Sequence, residues 1–172
     1  MSKESDAGSW MKCLDLGRAA LSAPESLPST PKAGRGRPDL VYWSAPSFFP
    51  CKSWAYFLNR KETRSKVLSL RWDQDYDANR LNNPLEGLKT SLKIEPTLRF
   101  SMETVDSPAL AQFLDRLGAI KIPVLPRDSH SGLDGTSFGL RIPSARLEIS
   151  WWENGPKDWE ELTTLMNELA RC

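Results

Sequence analysis

The last forty residues, 133–172, constrain the fold more than any other part of the chain, because they read as a turn, two alternating strands and an amphipathic helix in direct succession. Phe138, Leu140 and Ile142 alternate with Ser137, Gly139 and Arg141. After Pro143 and Ser144 a second run alternates Ala145, Leu147, Ile149 and Trp151 with Arg146, Glu148, Ser150 and Trp152. This period of two predicts an antiparallel hairpin with one apolar face and one wet face. Asp134 and Gly135 supply the turn into it, since glycine tolerates positive φ and aspartate can bond its own backbone. Gly155 and Pro156 then open a helix, with Asp158, Glu160 and Glu161 near the positive end of its dipole. Trp159, Leu162, Leu165, Met166 and Leu169 recur at helical spacing, and this stripe is expected to lie on the dry face of the hairpin.

Similar patterns run upstream. In residues 65–72, Leu68, Leu70 and Trp72 alternate with Ser69 and Arg71, which is strand spacing. Between residues 88 and 102, Leu92, Ile94, Leu98, Phe100 and Met102 keep a period of two that Pro96 interrupts. Proline cannot donate to a ladder, so an edge or bulged strand is expected there. A helix follows, with Ser107 as its cap, Pro108 at its first position, Leu110, Phe113, Leu114 and Leu117 on one stripe, and Gly118 as its stop. Residues 40–43 read as a short strand, the aromatic stretch Phe48, Phe49, Trp54, Tyr56 and Phe57 as a helix, and residues 73–77 as an acidic turn. Strands that mostly follow one another give an α+β fold: an antiparallel sheet packed by two or more helices, ending in the hairpin plus helix.

A chain of 172 residues, 40% hydrophobic and 26% charged, suits one domain with a real core. That single α+β domain is expected over residues 39–172. Residues 22–38 hold four of the thirteen prolines and little that could be buried, which is linker composition. Residues 9–21 read as a short helix capped by Ser9 and weakened by Gly17, so residues 1–38 are expected to be a flexible arm. The net charge of +1, from 23 basic and 22 acidic residues, provides no overall field for a polyanion or an acidic membrane. MSKESDAGSW has no basic-then-apolar leader pattern, and no run approaches the roughly 18 apolar residues of a spanning helix, so a cytoplasmic location is expected.

Residue types suited to catalysis are sparse. His130, the one histidine, sits in the polar segment Arg127-Asp128-Ser129-His130-Ser131-Gly132 and reads as a solvated loop residue. Cys13, Cys51 and Cys172 are scattered and odd in number, which predicts neither a disulfide framework nor a metal site. Asp73, Asp75 and Asp77 alternate like the start of a calcium loop. That loop requires Gly at its sixth position and Glu at its twelfth, where this chain has Ala78 and Pro84. The three aspartates read instead as a solvated cluster able to meet a basic partner. No enzyme, catalytic residue, cofactor, metal or small-molecule substrate is therefore expected.

Two features suggest partners. Gly34-Arg35-Gly36-Arg37-Pro38 matches the core of an AT-hook, in which Arg35 and Arg37 would enter the minor groove of AT-rich DNA; a linker explains the same residues. Trp151 and Trp152, being adjacent in a strand, point to opposite faces, so one of them projects outward and is either covered by another segment or free to anchor a partner.

The run LDGTSFGLRI, followed by EISWWENGPKDWEELTTLMNEL, resembles a pattern of small bacterial proteins: an Asp-Gly-Thr turn into a strand, a Trp-Trp strand end and a Pro-x-x-Trp helix. RWDQDYDANRLNNPLEGL is similar to their upstream region. The resemblance, over residues 65–172, is to cytoplasmic immunity-type proteins of polymorphic and type VI secretion toxin systems. It implies a stoichiometric binder that blocks a cognate toxin, and it carries no catalytic residues. The expected contact surface is a rim of Asp73, Asp75, Asp77 and Glu153 facing a basic cleft, with Trp152 as anchor. The alternative is a DNA-associated accessory protein using Arg35 and Arg37.

Overall fold

The structure is a computed structural model that describes residues 4–47, 49–82, 94–123 and 134–169. It contains a six-stranded antiparallel sheet: β1 (Leu40–Pro46), β2 (Cys51–Phe57), β3 (Arg64–Trp72), β4 (Leu98–Asp106), β5 (Thr136–Ile142) and β6 (Leu147–Trp152). The strand order is β4-β3-β2-β1-β5-β6, so β1 to β4 form a meander and the C-terminal hairpin adds to its β1 side. Among the described residues four helices accompany the sheet: α1 (Glu4–Ser22), α2 (Gln74–Asn82), α3 (Ser107–Ala119) and α4 (Glu160–Leu169). This is the α+β architecture that the spacing predicts.

One face is built as expected. Leu140 and Trp151, with Phe138, Ile142 and Ile149 beside them, meet Trp159, Leu162, Leu165, Met166 and Leu169 of the C-terminal helix and Leu110 and Leu117 of α3. Tyr42, Phe138 and Trp151 lie nearly parallel, with ring centroids 5.9–6.4 Å apart, and Trp159 meets Trp151 edge-on. Helix α3 starts one residue earlier than its sequence signal: the Asp106 carboxylate caps it by accepting from the Ala109 N–H, while Ser107 is buried and bonds Ser65. As Pro96 requires, β4 begins beyond it and lies at the sheet edge.

The other face departs from expectation. Residues 4–38 do not form a flexible arm. Along α1, Cys13, Gly17, Ala20 and Leu21 make a buried stripe at helical spacing, packed with Cys51, Leu70 and Trp72. Gly17 is what admits Trp72, for a Cβ there would lie 2.4 Å from the indole ring. The proline-rich stretch continues along the sheet. Gly34 is buried against Leu68 and Met102, and Thr30 is buried and donates to the Pro24 carbonyl. The hairpin face expected to be wet is therefore partly covered, with Arg141 donating to the Ser22 carbonyl and pairing with Glu25 at 2.5 Å.

Two more readings change. Of the aromatic stretch expected to be a helix, Trp54, Tyr56 and Phe57 are in strand β2, Phe49 precedes it and Phe48 lies outside the described residues; Cys51, Ser53 and Ala55 face the α1 side, while Trp54 and Tyr56 face the opposite side. The expected acidic turn is the first turn of α2, where Asp73 accepts from the Tyr76 N–H. His130 and Cys172 lie outside the described residues.

Candidate functional site

Asp77 does not belong to an exposed rim. It is fully buried, and its carboxylate accepts from Trp72 Nε1 at 2.9 Å, the Thr97 N–H at 2.6 Å, the Thr97 hydroxyl at 2.7 Å and Arg80 at 2.8 Å. Burial pushes the carboxyl up. The bonds from Thr97, Trp72 and Arg80 outweigh it and hold Asp77 below the ordinary aspartate value. Its role is to tie α2, β3 and the segment entering β4 together.

Of the remaining candidates, Trp152 lines a cavity of about 810 Å³ between the C-terminal half of α1, the start of α2 and the strands β1, β5 and β6. Trp43, Trp152, Arg18, Gln74 and Glu148 are among its lining residues. Trp152 is half-buried, covers Gly135 on one side and presents the rest of its indole to this space. Trp43 lies flat on Gly139, where a Cβ would come within 2.0 Å of the ring. The Trp43 Nε1–H is buried with no hydrogen-bond partner among the described residues, an unmatched donor enclosed against Gly139.

Acidic groups adjoin its lining residues in the chain. Asp75 is exposed, one residue from Gln74, and close enough to Cys51 to act on its thiol together with Arg18. Asp73 is half-buried on the other side of Gln74. Glu153 is exposed at the end of β6, with φ of 51°, and its carboxylate accepts from the Thr136 N–H at 2.6 Å. Of these residues the cavity wall itself holds Trp152, with Glu153 next to it in the chain and Asp73 and Asp75 on either side of the lining residue Gln74. The sequence offered no means to find Arg18 or Trp43 beside Trp152, because the packing of α1 and the β1-β5-β6 register bring them there.

Cys51 is buried and donates to Gln74 Oε1 at 3.1 Å; desolvation, reinforced by Asp75, pushes its thiol up to about 12. Burial likewise raises Cys13 to about 11. Both are therefore neutral thiols near pH 7 and poor nucleophiles. Among the described residues no group of three or more His, Cys, Asp or Glu side chains is arranged to hold a metal, and no helix is long and apolar enough to cross a membrane. Arg35 and Arg37 are both exposed, but both bond the chain itself: Arg35 donates to the carbonyls of Thr30 and Pro28, and Arg37 to that of Pro143. No protein-family model, no curated protein and no solved structure matches the chain.

Proposed function

We propose that this chain is a non-enzymatic binding protein of the bacterial cytoplasm, most concretely an immunity protein that neutralises a cognate toxin by covering its active site. The observation that carries this reading is the half-buried indole of Trp152 in the wall of an open cavity that Trp43, Arg18, Gln74 and Glu148 also line, with Asp73 and Asp75 flanking Gln74 and Glu153 following Trp152 in the chain. A tryptophan at the centre of a contact, ringed by charge, is the usual composition of an energetic hot spot. The exposed carboxylates of Asp75 and Glu153 would steer a basic cleft.

The test is co-expression with the product of the adjacent gene, followed by co-purification and a growth-protection assay. A tight one-to-one complex and protection of the host are expected. Trp152→Ala should weaken the complex by about 2–4 kcal/mol, the range for a central anchor. Asp75→Lys should act mainly on the association rate and its salt dependence. Absence of a toxin-like neighbour, or a complex indifferent to Trp152→Ala and Asp75→Lys, would remove the reading.

A further inference from the structure

The sheet face opposite the tryptophan cavity is incompletely covered by α3 and α4, and strand register places an unusual row of side chains there. Lys52 is directly opposite Arg71, and Arg71 is directly opposite Arg99, so three cations stand side by side across β2, β3 and β4. All three are exposed, and no ion pair joins any of them to another described residue. Like charges directly opposite one another destabilise a sheet, so the row is unfavourable unless an anion sits on it.

Beside the row is a slot of about 320 Å³. Its floor is Ser69 opposite Ser101, two small residues that leave room above β3 and β4. Trp54 forms one wall: Tyr42 stacks on one side of it at 5.8 Å and 15°, while the slot lies toward β3 and β4. Glu103, four residues along β4 from Arg99, closes the far end at about 13 Å of strand rise. The slot thus offers anion-binding forks at one end, a flat aromatic wall in the middle, two hydroxyls below and a carboxylate acceptor at the other end.

We infer that this slot binds a nucleotide unit, its phosphate on Lys52, Arg71 and Arg99, its base against Trp54 and a base amino or imino N–H on Glu103. Arginine forks match phosphate geometry, and base-on-indole stacking is the recurrent device of single-strand binding. An acidic polypeptide fits less well, because it has no planar group for Trp54 and Glu103 would repel it. The site is on the opposite face from the proposed toxin-binding surface, so failure of either leaves the other standing.

Equilibrium dialysis with CMP and fluorescence anisotropy with labelled dC10, both on the full chain, test this. Saturable binding of at least one probe is expected, with affinity falling at least tenfold in Arg71→Ala/Arg99→Ala, whose side chains are exposed and whose loss leaves the core intact. For dC10 the slope of log affinity against log salt should fall by about 0.7 when the contacts to that one phosphate are lost. Binding of CMP with the same sensitivity to the double variant assigns the slot to free nucleotides; binding of dC10 alone assigns it to a strand. No binding of either probe at millimolar concentration, binding unaffected by the double variant, or displacement by polyglutamate as effective as by nucleotide would each overturn the inference.

Discussion

Asp77 shows how one side chain can organise three segments of backbone. Its two oxygens collect an indole N–H, a backbone N–H, a hydroxyl and a guanidinium, and only an ionised carboxylate can accept all four. Arg80, its ionic partner, is itself only 10% exposed, so neither charge is well solvated without the other. Removing one member of such a buried pair typically costs about 3–5 kcal/mol, because the other is left uncompensated. Asp77→Asn should therefore lower the urea midpoint of unfolding strongly at pH 7. The pH dependence follows from the direction of the shift. The folded-state pKa lies below the ordinary 3.8, so the stabilisation is complete above that value and is lost as the pH falls through the folded-state pKa. The gap between wild type and Asp77→Asn should therefore narrow in acid. A gap that stays constant from pH 7 to pH 3 would show that the charge is not what stabilises this junction.

At the scale of elements, legibility tracks how many faces of each element are covered. The hairpin, α3 and the C-terminal helix each display an apolar stripe against polar neighbours, and their residues announce both element and orientation. Strand β2 carries Cys51, Ser53 and Ala55 toward α1 and Trp54 and Tyr56 toward the opposite face, so burial on both sides erases the alternation that marks a half-exposed strand. Helix α1 fails for a different reason. Gly17 looks like a helix weakener until Trp72 is seen filling the place of its missing side chain, a contact 55 residues away that no local pattern encodes. The arm reading and the packed structure make opposite predictions. Deleting residues 1–38 would leave a flexible-arm protein unchanged, whereas here it uncovers Cys51, Leu70 and Trp72, each at most 1% exposed. The truncated chain should be strongly destabilised and bind ANS, as judged by urea denaturation and dye fluorescence. Wild-type stability without dye binding would contradict the packing of α1.

Across the whole molecule, the sheet is a wall between two cores. Adjacent residues Val67 and Leu68 are both buried and belong to separate hydrophobic clusters, so the loss of one core exposes the back of the other. The fold class was legible because it depends on element type and order, but the candidate sites were not. Trp152 was visible as an outward strand residue, while Trp43 joins it through the β1-β5-β6 register and Arg18 and Gln74 through the packing of α1 and α2. Lys52, Arg71 and Arg99 become a row only through the β2-β3-β4 register. A shared wall implies that α1 is released only when the sheet itself comes apart. Cys13 on α1 and Cys51 on β2 report this directly, since both are 0% exposed and their thiols are pushed up to about 11 and about 12. In a Cys172→Ser background, Ellman's reagent should leave both thiols unmodified in native buffer and modify both across the urea transition seen by tryptophan fluorescence. Modification that precedes that transition would mean that α1 detaches from an intact sheet, and the coupling of the two cores would then be wrong.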